Sequence, residues 1–144
     1  MDIKIITDKN ELKGSCYIEI LPGSYNGVCW NDASIFFDEE VFGLLEPTIA
    51  KHAPTYDHYA FTEIDKSTWF KIILDMKNIQ FSLNSYNSPE EIKHHFGFIF
   101  KKTEDKFLKH FEANKKDVSL LLSNFTIWLK KQLSDNNVLT VLGI

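Results

Sequence analysis

The chain has 144 residues, with 16 basic and 20 acidic side chains, and its net charge at pH 7 is −4. Every basic residue is a lysine, so the forked contacts by which arginine reads phosphate or guanine are absent, and nucleic acid is not the favoured partner. A chain of this length buries about 68–70% of its unfolded surface. We therefore expect one domain spanning residues 1–144 that needs neither a disulfide nor a metal for stability.

The first residues and the two cysteines, Cys16 and Cys29, predict a cytoplasmic protein. The N-terminal segment lacks the apolar run and small-residue cleavage site of a secretory signal. No stretch approaches the roughly 18 apolar residues of a membrane span, so no membrane partner is expected. The cytosol keeps thiols reduced, and we expect both cysteines to be free, with Cys29 a small buried apolar residue.

The first third of the chain is predicted to form strands. Ile3 to Thr7 alternates weakly, Cys16 to Leu21 alternates clearly, and Ala33 to Phe37 is apolar. Turn signals at Pro22-Gly23 and Asn26-Gly27 fall between the last two of these segments.

A helix should follow, with Asp38 as its N-cap and an apolar stripe from Val41 to Ile49 that Pro47 kinks or divides. Tyr56 to Ile64 is predicted to be extended. The next helix should begin near Asp65 or Ser67, because apolar residues recur from there to Leu83 at steps of three and four.

Two further helices and a strand complete the prediction. Ser88 fits an N-cap, Pro89 the first helical position and Glu91 a capping box, and the apolar face after them runs from Ile92 to Phe111. Asp117 should cap the last helix, which reaches Leu133. Val138 to Ile144 has strand character and should return to the first sheet.

This order of signals predicts the α+β class. We expect a small, mainly antiparallel sheet, built from the N-terminal third plus the C-terminal strand, packed against three or four amphipathic helices.

The residue types that carry catalysis do not fall in catalytic patterns. His94 and His95 are adjacent, and His52 and His58 are six residues apart, whereas metal ligands on a helix prefer a spacing of three or four. The acidic runs at 38–40 and 90–91 coincide with helix starts, where capping explains them. No phosphate-binding or dinucleotide loop appears. We therefore predict no catalytic residue, no metal site and no cofactor.

Charge and aromatic residues are unevenly distributed between the two halves. Residues 1–65 contain twelve acidic and four basic residues, a net of −8, and residues 66–144 contain eight acidic and twelve basic residues, a net of +4. Four of the five tyrosines lie in the acidic half. Tyrosine is favoured at protein interfaces because it buries a large area and keeps a polar tip.

The segment from Phe36 to Ile73, FFDEEVFGLLEPTIAKHAPTYDHYAFTEIDKSTWFKII, resembles small immunity proteins encoded beside polymorphic bacterial toxins, including those of contact-dependent growth inhibition. The likeness covers about a quarter of the chain. It lies in an acidic helix start with Phe and Leu pairs, a Tyr-rich extended segment and a helix that opens on Trp. The resemblance implies a bacterial, cytoplasmic protein without enzymatic activity that binds one cognate toxin domain and blocks it.

We expect the partner to be a nuclease, with a ribonuclease favoured, because negative charge can occupy a groove built for RNA phosphates. A DNase or a pore-forming toxin stays open as an alternative. The partner-binding residues are predicted to be acidic groups and tyrosines of the first half: Tyr25, Asp32, Asp38, Glu39, Glu40, Tyr56, Asp57, Tyr59, Glu63 and Asp65. Two other functions are carried forward, a small hydrolase or ligand-binding protein with an unfamiliar site, and an adaptor subunit of a larger assembly.

Overall fold

Four antiparallel strands form one sheet in the order β2-β1-β4-β3, in a computed structural model that describes residues 1–144. The strands are β1 (Tyr17–Pro22), β2 (Ile35–Asp38), β3 (Phe61–Asp65) and β4 (Val138–Leu142). The helices are α1 (Glu39–Gly43), α2 (Glu46–His52), α3 (Lys66–Leu83), α4 (Pro89–Lys93), α5 (Lys101–Lys109) and α6 (Phe111–Leu133), and a single 3-10 turn covers Lys9–Glu11. The predicted α+β class is confirmed.

The last strand takes a central place in the sheet, because β4 pairs with β1 on one side and with β3 on the other. Its sequence, VLTVL, is buried at four of five positions. A near-continuous apolar run of this kind suits a strand covered on both faces, whereas half-covered strands alternate. The prediction that residues 138–144 rejoin the first sheet is confirmed for Val138–Leu142.

The inner face of the sheet packs on the two long helices, α3 and α6. The rings of Phe37 and Phe125 meet edge-to-face with centroids 5.0 Å apart, and the indole of Trp69 lies 6.3 Å from Phe125. The Trp69 indole N–H also donates to the carbonyl of Leu139 at 3.2 Å, so its buried polar atom is satisfied. Fully burying a side chain of this size contributes about 1.5–3 kcal/mol, so this layer accounts for much of the stability.

Several local predictions are wrong in detail. Residues 3–7 form no strand, and Ile6 alone makes an isolated bridge to Phe36. The expected helix over 92–111 is interrupted between α4 and α5, where Gly97 passes so close to α1 that a Cβ on it would lie 2.7 Å from the Gly43 carbonyl oxygen. Asp117 is no cap, because α6 begins at Phe111.

The other helix starts follow the sequence more closely. Asp38 accepts from the Glu40 amide and Asp65 from the Thr68 amide, so both act as N-caps. Pro47 lies in the first turn of α2 and separates that helix from α1. Ser88 precedes α4 but makes no side-chain capping bond. The Glu91 carboxylate accepts from the Asn87 amide instead, so the predicted capping box does not form.

Candidate protein-binding surface

The outer face of the sheet is covered by the connection between β1 and β2, residues 23–34, and not by a helix. Thr140 on β4 donates its hydroxyl proton to the Gly23 carbonyl at 2.8 Å where this loop begins. Tyr25 then crosses to β3, where its ring meets Phe61 with centroids 4.7 Å apart. The loop therefore lies across β1, β4 and β3, and it determines which side chains this face exposes.

One buried carboxylate, that of Glu19 on β1, holds the far part of the loop. Glu19 is 2% exposed and accepts from the Trp30 amide at 2.5 Å, the Asn31 amide at 2.9 Å and the Ser34 hydroxyl at 2.6 Å. The Asn31 side-chain amide adds a fourth contact at 2.9 Å. No lysine pairs with Glu19, so neutral donors alone replace its hydration. The carboxylate thereby converts a long connection into an ordered surface.

Trp30 shows how strongly the loop is constrained. Its φ is +62°, a left-handed conformation that costs a residue with a Cβ about 1–2 kcal/mol. The bond from its amide to Glu19 stabilises this geometry, and its indole remains 41% exposed. Large aromatic side chains that a fold holds at the surface are typical of protein interfaces.

Exposed aromatic rings and carboxylates lie together on this outer face. Register places Glu19, Leu142 and Phe61 in one row across the sheet, so Glu19, which holds the Trp30 amide, and Phe61 are two strands or roughly 10 Å apart. Tyr59, which is 75% exposed, precedes β3 by two residues. We call the following set the aromatic–acidic surface: Tyr25, Trp30, Tyr59, Phe61, Glu63 and Asp65.

Strand β3 also leaves one edge of the sheet unpaired. The Ala60 carbonyl accepts from the Gly143 amide at 3.0 Å, and the Lys66 amide donates to the Asn137 carbonyl at 2.8 Å. The backbone N–H and C=O groups of the even-numbered residues of β3 therefore point toward β4. Those of Phe61, Glu63 and Asp65, which alternate with them, point away from it. Their side chains stand on the aromatic–acidic surface, which therefore ends at an edge with free donors and acceptors.

The predicted site residues divide into two groups. Tyr25, Tyr59, Glu63 and Asp65 share the aromatic–acidic surface, and Asp57 caps the turn before β3 by accepting from the Tyr59 amide at 2.8 Å. Asp32 lies on the covering loop and pairs with Lys9 at 2.9 Å. The remaining four, Asp38, Glu39, Glu40 and Tyr56, lie at and beyond the start of α1 and make contacts within the chain.

The contacts of this second group are mostly internal. Glu40 accepts from the Thr103 hydroxyl at 2.5 Å and thereby joins α1 to α5. The Tyr56 hydroxyl donates to Glu46 at 2.6 Å. Burial is the largest cause that raises the pKa of Tyr56, and the Glu46 carboxylate raises it further. Their first role is therefore to hold α1, α2 and the turn at 53–60 together.

A shallow cleft of about 370 Å³ lies beside this second group, between α1–α2 and residues 97–99. On its wall, His58 Nδ1 lies 2.5 Å from Glu46, and His58 Nε2 lies 3.8 Å from Glu39. Only Nδ1 is hydrogen-bonded, because 3.8 Å is too long for a hydrogen bond between Nε2 and Glu39. The cleft is lined by no Ser, Thr, Cys or Lys that could serve as a nucleophile.

The sequence patterns missed three contributors to the outer surface, Val28, Trp30 and Phe61. Phe61 lies in the segment predicted to be extended and has no predicted partner role, yet it is 47% exposed on the outer face of edge strand β3. The prediction for Cys29 is wrong, because its thiol is exposed in the loop beside Tyr25. Partial desolvation, that thiol and the Glu19 carboxylate raise the pKa of Tyr25.

Comparisons with known proteins add no relative: no family model, no curated protein and no solved structure matches this chain. No helix of the fold is both long and apolar enough to cross a membrane. No three His, Cys, Asp or Glu side chains converge as metal ligands would.

Proposed function

We propose that this chain binds a cognate bacterial toxin domain and neutralises it, with the aromatic–acidic surface as the contact face. The observation that carries the proposal is the convergence of four exposed aromatic rings with Glu63 and Asp65 on one ordered face of the sheet. The four strands contain acidic residues and no lysine, and neither Glu63 nor Asp65 takes part in a salt bridge, so the exposed charges of these strands are negative.

We propose a nuclease as the partner toxin, with a ribonuclease favoured, because its charge would complement that of this surface. A groove that binds RNA phosphates is lined by cations, and an acidic surface accelerates encounter with it and rejects acidic competitors. The aromatic rings would supply most of the affinity, since hot-spot residues contribute about 2 kcal/mol or more each when they are buried at an interface. Glu19 supports this role by fixing the loop before the partner arrives, which lowers the entropy lost on binding.

The free edge of β3 supports a protein partner over a small ligand. An extended partner segment could pair with the backbone of Phe61, Glu63 and Asp65, while its side chains met the rings on the same face. The cleft beside His58 gives less support to a hydrolase, because no Ser, Thr, Cys or Lys nucleophile lines it.

Co-expression with toxin domains encoded beside this chain tests the proposal in cells. Growth should recover with one toxin and not with unrelated toxins. Purified chain should then abolish the nuclease activity of that toxin at an equimolar ratio. If the chain protects against none of the neighbouring toxins, the proposed function is wrong.

A pair of charge reversals locates the contact face. Glu63→Lys changes an exposed acid of the aromatic–acidic surface, and Glu90→Lys makes the same change of charge on α4. We expect the first to slow toxin association about tenfold or more at low salt, with the difference shrinking as salt rises, and the second to have little effect. Equal effects of the two variants would place the contact elsewhere.

The aromatic contribution is tested at Tyr59, whose exposure makes substitution harmless to folding. Tyr59→Ala should weaken toxin binding about thirtyfold, the loss expected of a hot spot of about 2 kcal/mol. Tyr59→Phe retains the ring and should retain most of the affinity. An unchanged dissociation constant in Tyr59→Ala would remove this residue from the interface.

A further inference from the structure

The solvent side of α3 is apolar, although its opposite side already fills the core. Trp69, Ile72 and Met76 are completely buried beneath the helix. On the outward side, Phe70, Leu74 and Phe81 recur at helical spacing, and their exposures are 45%, 62% and 89%. A surface helix normally presents polar residues there, so this stripe is an unpartnered apolar face.

The neighbouring helix α6 carries a second exposed stripe. Leu120 and Ile127 are two turns apart and are 62% and 64% exposed. The two helices pack against each other, and the Gln80 side-chain amide donates to the Ser119 hydroxyl across their contact at 3.4 Å. Ser119 and Ser123 lie one turn apart on the side of α6 that faces α3, so the space between the stripes has a floor of short side chains. We call this space the α3–α6 groove.

Two lysines of the groove have no acidic partner. Lys77 lies on α3 one turn before Gln80, and Lys130 lies on α6 two turns after Ser123, so both lie along the contact between the two helices. The proximity of Lys77 lowers the pKa of Lys130. Neither takes part in a salt bridge in this structure. The only acid of α3, Asp75, faces the other way and pairs with Lys51 and His52 of α2. Two adjacent ammonium groups without a counter-ion favour a bound carboxylate between them.

We propose that the α3–α6 groove binds an acidic amphipathic helix of a partner protein. The apolar side chains of that helix pack between Leu74 and Phe81 on one side and Ile127 on the other, and one of its carboxylates bridges Lys77 and Lys130. This is the helix-in-groove mode, in which a third helix settles between two neighbours at the usual axial separation of about 8–10 Å.

The position of the lysines favours a helix over a lipid surface. Lys77 and Lys130 lie on the sides of α3 and α6 that meet at the Gln80–Ser119 contact, so they lie between the two apolar stripes. A segment that lies on a bilayer keeps its cations on the polar side, next to the headgroups, and its apolar side chains together beneath them. Positive charge between two apolar stripes is instead complementary to a helix whose contact face has a carboxylate at its centre and apolar side chains around it. The groove lies behind the helical layer, on the side of the molecule opposite the aromatic–acidic surface, so this inference is independent of the proposed function.

A synthetic probe tests the inference without knowledge of the partner. The probe is a fluorescein-labelled helix of about 18 residues, roughly the length of α3, with Leu at one face and Glu beside it. Its control replaces every Glu with Lys. Fluorescence anisotropy should show that the Leu/Glu peptide binds the full chain with a dissociation constant below about 1 mM and that the Leu/Lys peptide does not.

Matched variants assign the binding to the groove. The double change Lys77→Glu with Lys130→Glu and the single change Phe81→Ser should each weaken binding about tenfold or more. Lys102→Glu with Lys109→Glu on α5, and Val28→Ser on the outer loop, make equivalent changes at exposed positions and should alter it less than about twofold. Circular dichroism should be unchanged in all of them, because every altered side chain is exposed.

Three results would overturn the inference. The first is equal binding of the two peptides, or no binding of either. The second is binding to vesicles containing phosphatidylserine in place of the Leu/Glu peptide, which would make the groove a lipid-binding face. The third is a concentration-dependent dimer that Lys77→Glu with Lys130→Glu abolishes in sedimentation experiments, which would make the occupant a second copy of this chain.

Discussion

The carboxylate of Glu19 accepts a hydrogen bond from the Ser34 hydroxyl at 2.6 Å, although Glu19 lies on β1 and Ser34 at the far end of the loop that covers the sheet. The same carboxylate holds the amides of Trp30 and Asn31. A single side chain of β1 therefore determines where the second half of the loop lies, and with it the position of the Trp30 indole.

Glu19→Ala should lower the free energy of unfolding by about 3 kcal/mol, because it leaves several buried donors without an acceptor. It should also release residues 23–34 to proteases that the native loop resists. Glu63→Ala removes an exposed acid from the same face and should change stability by less than about 0.5 kcal/mol. Urea denaturation and limited digestion with chymotrypsin, which cleaves after aromatic residues such as Tyr25 and Trp30, measure both effects. Equal stability of the two variants would contradict this role for Glu19.

Two of the predicted helix caps, Asp65 and Ser88, should behave differently. Asp65 accepts from the Thr68 amide at 2.9 Å. The Thr68 hydroxyl, then this amide and the Ser67 hydroxyl, lower the pKa of Asp65. Asp65→Ala should therefore lower the melting temperature by a few degrees, while Asp65→Asn, which retains an acceptor, should lower it less. Ser88→Ala should leave it nearly unchanged, because that hydroxyl caps nothing. A larger loss from Ser88→Ala than from Asp65→Ala would reverse the assignment.

Local patterns predicted the elements whose cause is local. Asp38, Pro47 and Asp65 mark helix boundaries through hydrogen bonds and steric limits within a few residues, and the alternation in β1 follows from its own two faces. The interruption between α4 and α5 is not local, because it depends on Gly97 meeting α1 some fifty residues earlier in the chain. No period within residues 92–111 records that contact.

The sequence predicts the candidate surface only in part, because the exposure of several of its residues depends on contacts that are distant in the chain. Tyr25, Tyr59, Glu63 and Asp65 were selected by residue type and half of the chain, and the fold brings them to one face. Phe61 and Trp30 could not be selected, since their exposure depends on strand order and on the distant Glu19 carboxylate. Glu39, Glu40 and Tyr56 carry the same residue types, but tertiary contacts use them inside the chain.

Asp75 should make stability depend on pH in the acid range. Burial alone would raise its pKa, but hydrogen bonds from His52 and Lys51 and the charge of both outweigh that effect, so the pKa of Asp75 falls below its usual 3.8. A depressed folded-state pKa stabilises the fold above pH 3.8, and this contribution is lost as the pH falls through the folded value. Asp75→Asn should therefore lower the urea midpoint clearly at pH 6, and the difference from the unaltered chain should shrink below pH 3.8. A difference that does not vary between pH 6 and pH 3 would show that the charge of Asp75 contributes nothing.

Gly143 should control the turn that carries Tyr59 without touching its side chain. A Cβ at Gly143 would lie 2.3 Å from the carbonyl oxygen of His58 and 2.7 Å from that of Ala60, distances that force the backbone apart. Gly143→Ala should therefore displace the turn from the end of β4, cost about 1–3 kcal/mol of stability and weaken toxin binding. Gly14→Ala is the matched control, because Gly14 has a φ of +111° but no atom within 4 Å of the added Cβ. It should cost stability through backbone strain alone and leave toxin affinity unchanged, since it lies outside the aromatic–acidic surface. Chemical denaturation and titration with the cognate toxin separate the two effects. If Gly143→Ala binds as tightly as the unaltered chain, the position of this turn does not contribute to recognition, and Tyr59 loses its place in the proposed interface.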